Sequence, residues 1–243
     1  MRLIGDFHTH TNYTHGQGSI EDTVKQAENL GLKAVAITDH AYKSNYAIKK
    51  GDLIKMRSDI DAIKDKYKVK ILLGIETNII SRQGDVDVPD EELNDLDLVV
   101  LGVHKFTRVG LKEFLCWTIP NLLRKKPTKK QIETNTQAYI NAMDKHRVSI
   151  LAHLNYANAY VDCGVLAKEC ERRGIYIELN GKRINFSRED MEKMLKTNVK
   201  FIINSDAHHP LNVGKNHRAF NLIEKYKIPL DRIVNLNEMP KFK

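Results

Sequence analysis

The amino-acid sequence predicts an α/β barrel, and three observations carry that expectation. Strand-length apolar runs alternate with helical stretches along the 243 residues. The runs are continuously apolar rather than alternating, the pattern of a parallel sheet covered by helices on both faces. A histidine stands at the exit of five of them: His8, His40, His104, His153 and His208. An open seven-stranded sheet would spread such exits over more than about 20 Å, at roughly 4.8 Å between neighbours. A barrel gathers every exit on one rim.

Strands are expected near 2–8, 33–39, 69–75, 97–103, 148–152, 175–180 and 199–205, with a weaker eighth candidate at Ile233-Val234-Asn235-Leu236. Between the first two, Ser19-Ile20-Glu21-Asp22 forms a capping box. Ile20, Val24, Ala27 and Leu30 share the helical face that follows, and Gly31 stands where that helix stops. Further helix starts are marked by Thr128-Lys129-Lys130-Gln131 and Ser187-Arg188-Glu189-Asp190. No linker or repeat divides the chain, so a single domain over 1–243 is expected.

Apolar and charged fractions are those of an ordinary globular protein. The longest apolar runs are strand-length, so no membrane span is expected. Met1 leads directly into Leu3-Ile4 without a basic segment and apolar stretch, which points to a cytoplasmic protein. Cys163 and Cys170 lie with Leu166 and Ala167 on one helical face, as core residues do, and Cys116 has no partner in the pattern. A net charge of +8 suits nucleic acid, but lysines occur along the whole chain, and a lysine-rich composition is the simpler account. Asn12-Tyr13-Thr14 matches a glycosylation sequon that carries no weight in a cytoplasmic chain.

Chemistry enters with the exits. His8 and His10 are two residues apart on an extended segment, so both rings point to one face and can grip one cation. Glu76 ends the run Val69–Ile75, where a carboxylate is costly unless paired or metal-bound. Asp206 and His208 share a face, His15 sits in a Thr-His-Gly turn, and His40 follows Asp39. With His104 and His153 the set holds seven imidazoles and two carboxylates, enough for about three ions with three or four ligands each. Imidazole-rich sites of this kind suit Zn, Mn or Fe and disfavour Mg or Ca. Asp6 and Asp39, each beside ligands, are expected to orient imidazoles. His146 closes a helical face and reads as structural, and His209 and His217 as substrate-touching or solvated.

The segments Asp6-Phe7-His8-Thr9-His10, Ile37-Thr38-Asp39-His40, Gly74-Ile75-Glu76, Gly102-Val103-His104, Ala152-His153 and Ser205-Asp206-Ala207-His208 resemble the PHP (polymerase and histidinol phosphatase) superfamily. Compact length and a histidine at position 15, where many relatives carry Asp, make the chain most similar to the YcdX-type phosphatases. The resemblance implies a distorted (β/α)7, TIM-like barrel with three divalent ions, zinc foremost, at the C-terminal ends of the strands. One ion would be held by His8, His10, Glu76 and Asp206, a second by a bridging Glu76 with His104 and His153, and a third by His15, His40 and His208. Glu76, Asp206 and His208 would stand closest to the reaction.

Such a cluster carries excess positive charge and favours a small phosphorylated substrate. The implied activity is hydrolysis of a phosphomonoester by a metal-bridging hydroxide. Arg183, in Asn180-Gly181-Lys182-Arg183, and Lys105 are the expected substrate contacts. The segment 105–130 holds Phe106, Phe114, Trp117 and many cations, and is either a lid over the site or a helical excursion burying its own aromatics. Rival readings are a histidinol phosphatase, a nuclease acting on nucleic-acid ends, a metal-dependent amidohydrolase and a non-catalytic scaffold.

Overall fold

Seven parallel strands form one sheet whose spatial order is the sequence order: β1 (Gly5–Asp6), β2 (Ala34–Ile37), β3 (Lys70–Asn78), β4 (Leu98–Gly102), β5 (Ile150–Leu151), β6 (Tyr176–Asn180) and β7 (Phe201–Asn204). The computed structural model describes residues 3–123 and 126–242. Helical crossovers α1 (Ile20–Asn29), α2 (Asp52–Ile63) and α3 (Asp90–Asn94) join the first four strands. A long excursion then runs through α4 (Leu111–Glu113), a π-helical turn (Phe114–Thr118), α5 (Ile119–Leu123) and α6 (Lys129–Lys145). The rest is α7 (Cys163–Arg173), α8 (Arg188–Leu195) and α9 (His217–Tyr226). Among the described residues no helix is long and apolar enough to cross a membrane.

All seven main expected strand runs are present, though β1 and β5 are only two residues long. The cause is local. Just past β1, Phe7 N–H donates to Asn204 Oδ1 at 2.9 Å and Thr9 N–H to Thr38 Oγ1 at 3.1 Å, so side chains replace the ladder. The capping boxes at Ser19 and Ser187 both form, and Thr128 caps α6. Cys163 and Cys170 are fully buried on α7.

The sheet closes by a seam rather than by a β7–β1 ladder. On the rim, Thr9 and Ala207 make one parallel bridge. Lower down, the eighth candidate is reduced to a single bridge between Phe201 and Ile233. There the Asn235 side chain donates to Gly5 O and Ile203 O and accepts from Ile203 N–H, spanning the gap. Two apolar layers result. An inner cluster of Phe7, Ala34, Ala36, Leu98, Val100 and Ile202 fills the barrel, and an outer one packs sheet against helices. Phe242 meets Phe7 edge-on at 5.1 Å from the bottom of the barrel.

Candidate metal centre

Every predicted ligand reaches the rim. Thr9 turns away to donate to Ala36 O, which leaves its neighbours His8 and His10 facing the interior with ring centroids 5.1 Å apart. His40 and Glu76 are paired in a parallel bridge that prolongs the β2–β3 ladder. His153 (φ 28°) and Asp206 (φ 53°) both hold left-handed backbone, strain of the kind found where a fold aims a functional side chain.

Glu76 is the hub. Its Oε1 lies 2.8 Å from His153 Nε2, 3.4 Å from His8 Nε2 and 3.5 Å from His104 Nε2. Its Oε2 lies 2.7 Å from His40 Nδ1 and 3.5 Å from His10 Nε2, which is also 3.5 Å from Asp206 Oδ1. Ligand atoms fall into three overlapping groups, each within 4.8 Å: His8–His10–Glu76, His40–Glu76–His104 and His10–His40–His208. His15 flanks the third, its ring stacked on His40 at 5.0 Å and 4.2 Å from His208.

These groups fit cations better than one another. His8 Nε2, both nitrogens of His10, His40 Nδ1 and Glu76 Oε2 are buried without a hydrogen-bond partner. Even the 2.7 Å approach of His40 to Glu76 lacks an aligned hydrogen. Buried polar atoms without partners are costly, and a divalent ion between them removes the deficit. Burial lowers His15 and His208 to about 4, His104 to about 3, and His10 well below its usual value, so these rings are the neutral imidazoles that metals bind. Burial opposes ionised Glu76, but His104, His8 and His40 around it hold the carboxyl well below its ordinary range.

The PHP domain family model matches residues 6–208. The chain belongs to that family. Two relatives are named "probable phosphatase". One, from Clostridium acetobutylicum, is 25% identical over 250 residues, covering 98% of this chain and 92% of the relative. The other, from Caldanaerobacter subterraneus subsp. tengcongensis, is 28% identical, covering 97% and 88%. The histidinol phosphate phosphatase of Lactococcus lactis, solved with zinc, L-histidinol and phosphate, superposes with a TM-score of 0.61 at 18% identity, covering 93% of this chain and 94% of that one. It shares the barrel.

Behind the candidate ligands of this PHP chain lies a layer that no motif in the sequence announces. Glu178, buried on β6, lies 2.7 Å from His8 Nδ1. Asn78 Oδ1 lies 2.6 Å from His104 Nδ1, and Asp87 takes the Asn78 amide and backbone N–H. Asp6 and Asp39 act on loops instead of rings. Asp6 accepts from the backbone of Ser205 and Gly214, and Asp39 from Thr11 and the Thr14 hydroxyl. Period-two spacing could have flagged Glu178, since it sits two residues before Asn180 on a buried strand; nothing local marks Asp87.

Outside the ligands a cavity of about 220 Å³ opens between Lys105, Phe106, Tyr46, Tyr156, Lys182 and Arg183. Arg183 lies 4.4 Å above the Tyr156 ring, and Lys182 Nζ stands 3.1 Å from His208 Nδ1. Of the three aromatics expected in a lid, only Phe106 lines the cavity. Trp117 is buried, donating to Ile79 O at 3.1 Å, and Phe114 faces outward. His146 pairs with Asp90 at 2.6 Å, His209 accepts from Leu211 N–H, and His217 is exposed, so none of them serves the rim.

Proposed function

We propose that this PHP protein is a metal-dependent phosphatase acting on a small phosphomonoester, as one domain over 1–243. The observation that carries the reading is the buried, partnerless set of imidazole and carboxylate atoms beneath a cation-lined mouth. The set His8, His10, His15, His40, Glu76, His104, His153, Asp206 and His208 would hold three divalent ions, zinc first and manganese or iron next. When bound, such ions supply Lewis-acid charge and an activated water near neutral pH. Glu76, on β3, and Asp206 and His208, just past β7, keep the reacting centre anchored to two strands. Lys182, Arg183 and Lys105 receive the phosphoryl oxygens, with Arg183 held flat by Tyr156. Phe106 and Tyr46 border the leaving group.

Three cations at the mouth disfavour a leaving group that carries its own ammonium, so histidinol phosphate ranks below neutral or anionic esters. The test is phosphate release from a chromogenic phosphomonoester after chelation and reloading with zinc or manganese, beside a cyclic amide. Loss on chelation and recovery on reloading, with no amide hydrolysis, is expected. Amide turnover, or phosphate release indifferent to chelator, defeats the proposal. Arg183→Ala should raise KM by about tenfold with little change in kcat, as loss of one charged hydrogen bond to substrate would.

A further inference from the structure

The site leaves one large feature unused. Residues 105–130 contain eight basic side chains against a single acid, Glu113, a net +7 that nearly equals the +8 of the whole chain. Lysines are scattered, but elsewhere acids accompany them, so the charge is concentrated and not diffuse. On the same stretch the outward face of α4, the π-helical turn and α5 is apolar: Leu111 is 75% exposed, Phe114 41%, Leu115 56% and Leu123 71%. Leu111, Phe114, Leu115, Ile119 and Leu122 follow helical spacing, the first three exposed and the last two half-buried, and along the sequence Lys105, Arg108, Lys112, Lys126, Lys129 and Lys130 bracket them.

The stripe is not a core turned outward. Its inner side is pinned by the buried Trp117 bond to Ile79 O, and by Asn121, which accepts from Gln131 at 3.2 Å and Asn135 at 2.9 Å. The outer face is therefore presented permanently. A second copy of this chain is a poor occupant, because the two faces would bring +7 against +7. Single-stranded nucleic acid stacks on exposed aromatics; Phe106 (60% exposed) and Phe114 (41%) are present here, but the two most exposed apolar residues of the segment are Leu111 and Leu123. Aliphatic side chains flanked by cations fit an anionic lipid surface, where the helix lies in plane with its stripe among the acyl chains.

We propose that the 106–123 segment docks this protein on anionic membranes, lying flat on the surface without spanning it. Because Lys105 and Phe106 also line the cavity, docking sets the mouth of the metal centre against the headgroup layer. The proposal stands apart from the phosphatase reading, since binding is measured without turnover.

The test is cosedimentation of the full chain with phosphatidylcholine vesicles, with and without about one third phosphatidylglycerol, at low and high salt. At least about tenfold tighter binding to the anionic vesicles, weakened by salt, is expected. The double variant Leu111→Ser with Leu115→Ser should lose about tenfold while keeping the native Trp117 fluorescence, which reports an intact inner face. Equal binding to both vesicle types, or unchanged binding by the double variant, overturns the proposal. So does salt-sensitive capture of a single-stranded oligonucleotide with no vesicle binding, or a dimer that the double variant dissolves.

Discussion

Asp87 is acceptor-only, and its oxygens take hydrogen bonds from Thr77 Oγ1, Asn78 N–H, Asn78 Nδ2 and Lys43 N–H. The Asn78 amide is thereby fixed with its oxygen toward His104, whose Nδ1 must carry hydrogen. Its Nε2 is left with a lone pair on the Glu76 side. Glu178 does the same for His8. Asp87→Asn should weaken metal binding by about 10- to 100-fold, read by titration calorimetry with zinc. Imidazole nitrogen chemical shifts should show His104 changing tautomer. The depressed histidines set a pH dependence as well. His15, His104 and His208 titrate near 4, 3 and 4 in the folded metal-free chain, against about 6.5 unfolded. Below about 6.5 the unfolded chain binds more protons at these three rings, so their contribution to stability is full above that pH and is lost as pH drops toward 4. His8, whose pKa is raised against burial by Glu178 and Glu76, contributes with the opposite sign. Denaturant midpoints of the chelated protein between pH 7 and pH 4 check the sign. Eight of the nine ligand candidates stand at or just past the end of an apolar run, and His15 stands in a Thr-His-Gly turn. Asn78 and Asp87 carry no such mark, since what makes them matter is a partner 9 to 26 residues away.

Strands were legible as elements because burial on both faces leaves an uninterrupted apolar record, and helix starts because capping chemistry is local. Lengths were not, since β1 and β5 stop where side chains of other strands take over the backbone. Gly102, the last residue of β4, shows how tightly strand ends are matched to ligands. A Cβ there would stand 2.8 Å from His153 Cε1. Gly102→Ala should therefore push the His153 ring from Glu76 and lower the metal content of the purified protein, with far-ultraviolet circular dichroism unchanged. Ser19→Ala, which opens a capping box remote from the cluster, should cost about 1 kcal/mol of stability and leave metal content intact. Of the two readings the sequence leaves open for the excursion after β4, a lid or an excursion burying its own aromatics, Trp117 follows the second, buried on the π-helical turn, while Phe106 lines the cavity.

For the whole molecule, the metal centre is a stability element. His8 Nε2, both nitrogens of His10 and His40 Nδ1 have no partners of their own, so ions that bind only the folded chain should raise Tm by about 5–10 °C at a hundredfold excess over Kd. Differential scanning calorimetry of chelated and zinc-loaded protein measures this, and equal midpoints would show that the rim holds no ion. Closed-barrel architecture was legible from the convergence of exits alone. The seam was not, because its closure rests on Asp6, Asn204 and Asn235, polar residues without a strand signal.

That seam also dictates when the protein can mature. Asp6 binds the Ser205 backbone across 199 residues, and His10 binds Ala207 O beside it. A ribosome must therefore release nearly the entire polypeptide before the two halves of the ligand set can meet. The groups His8–His10–Glu76 and His40–Glu76–His104 are translated early, but Asp206 and the His10–His40–His208 group are complete only once β7 has left the tunnel, so full loading of the rim would be a late event.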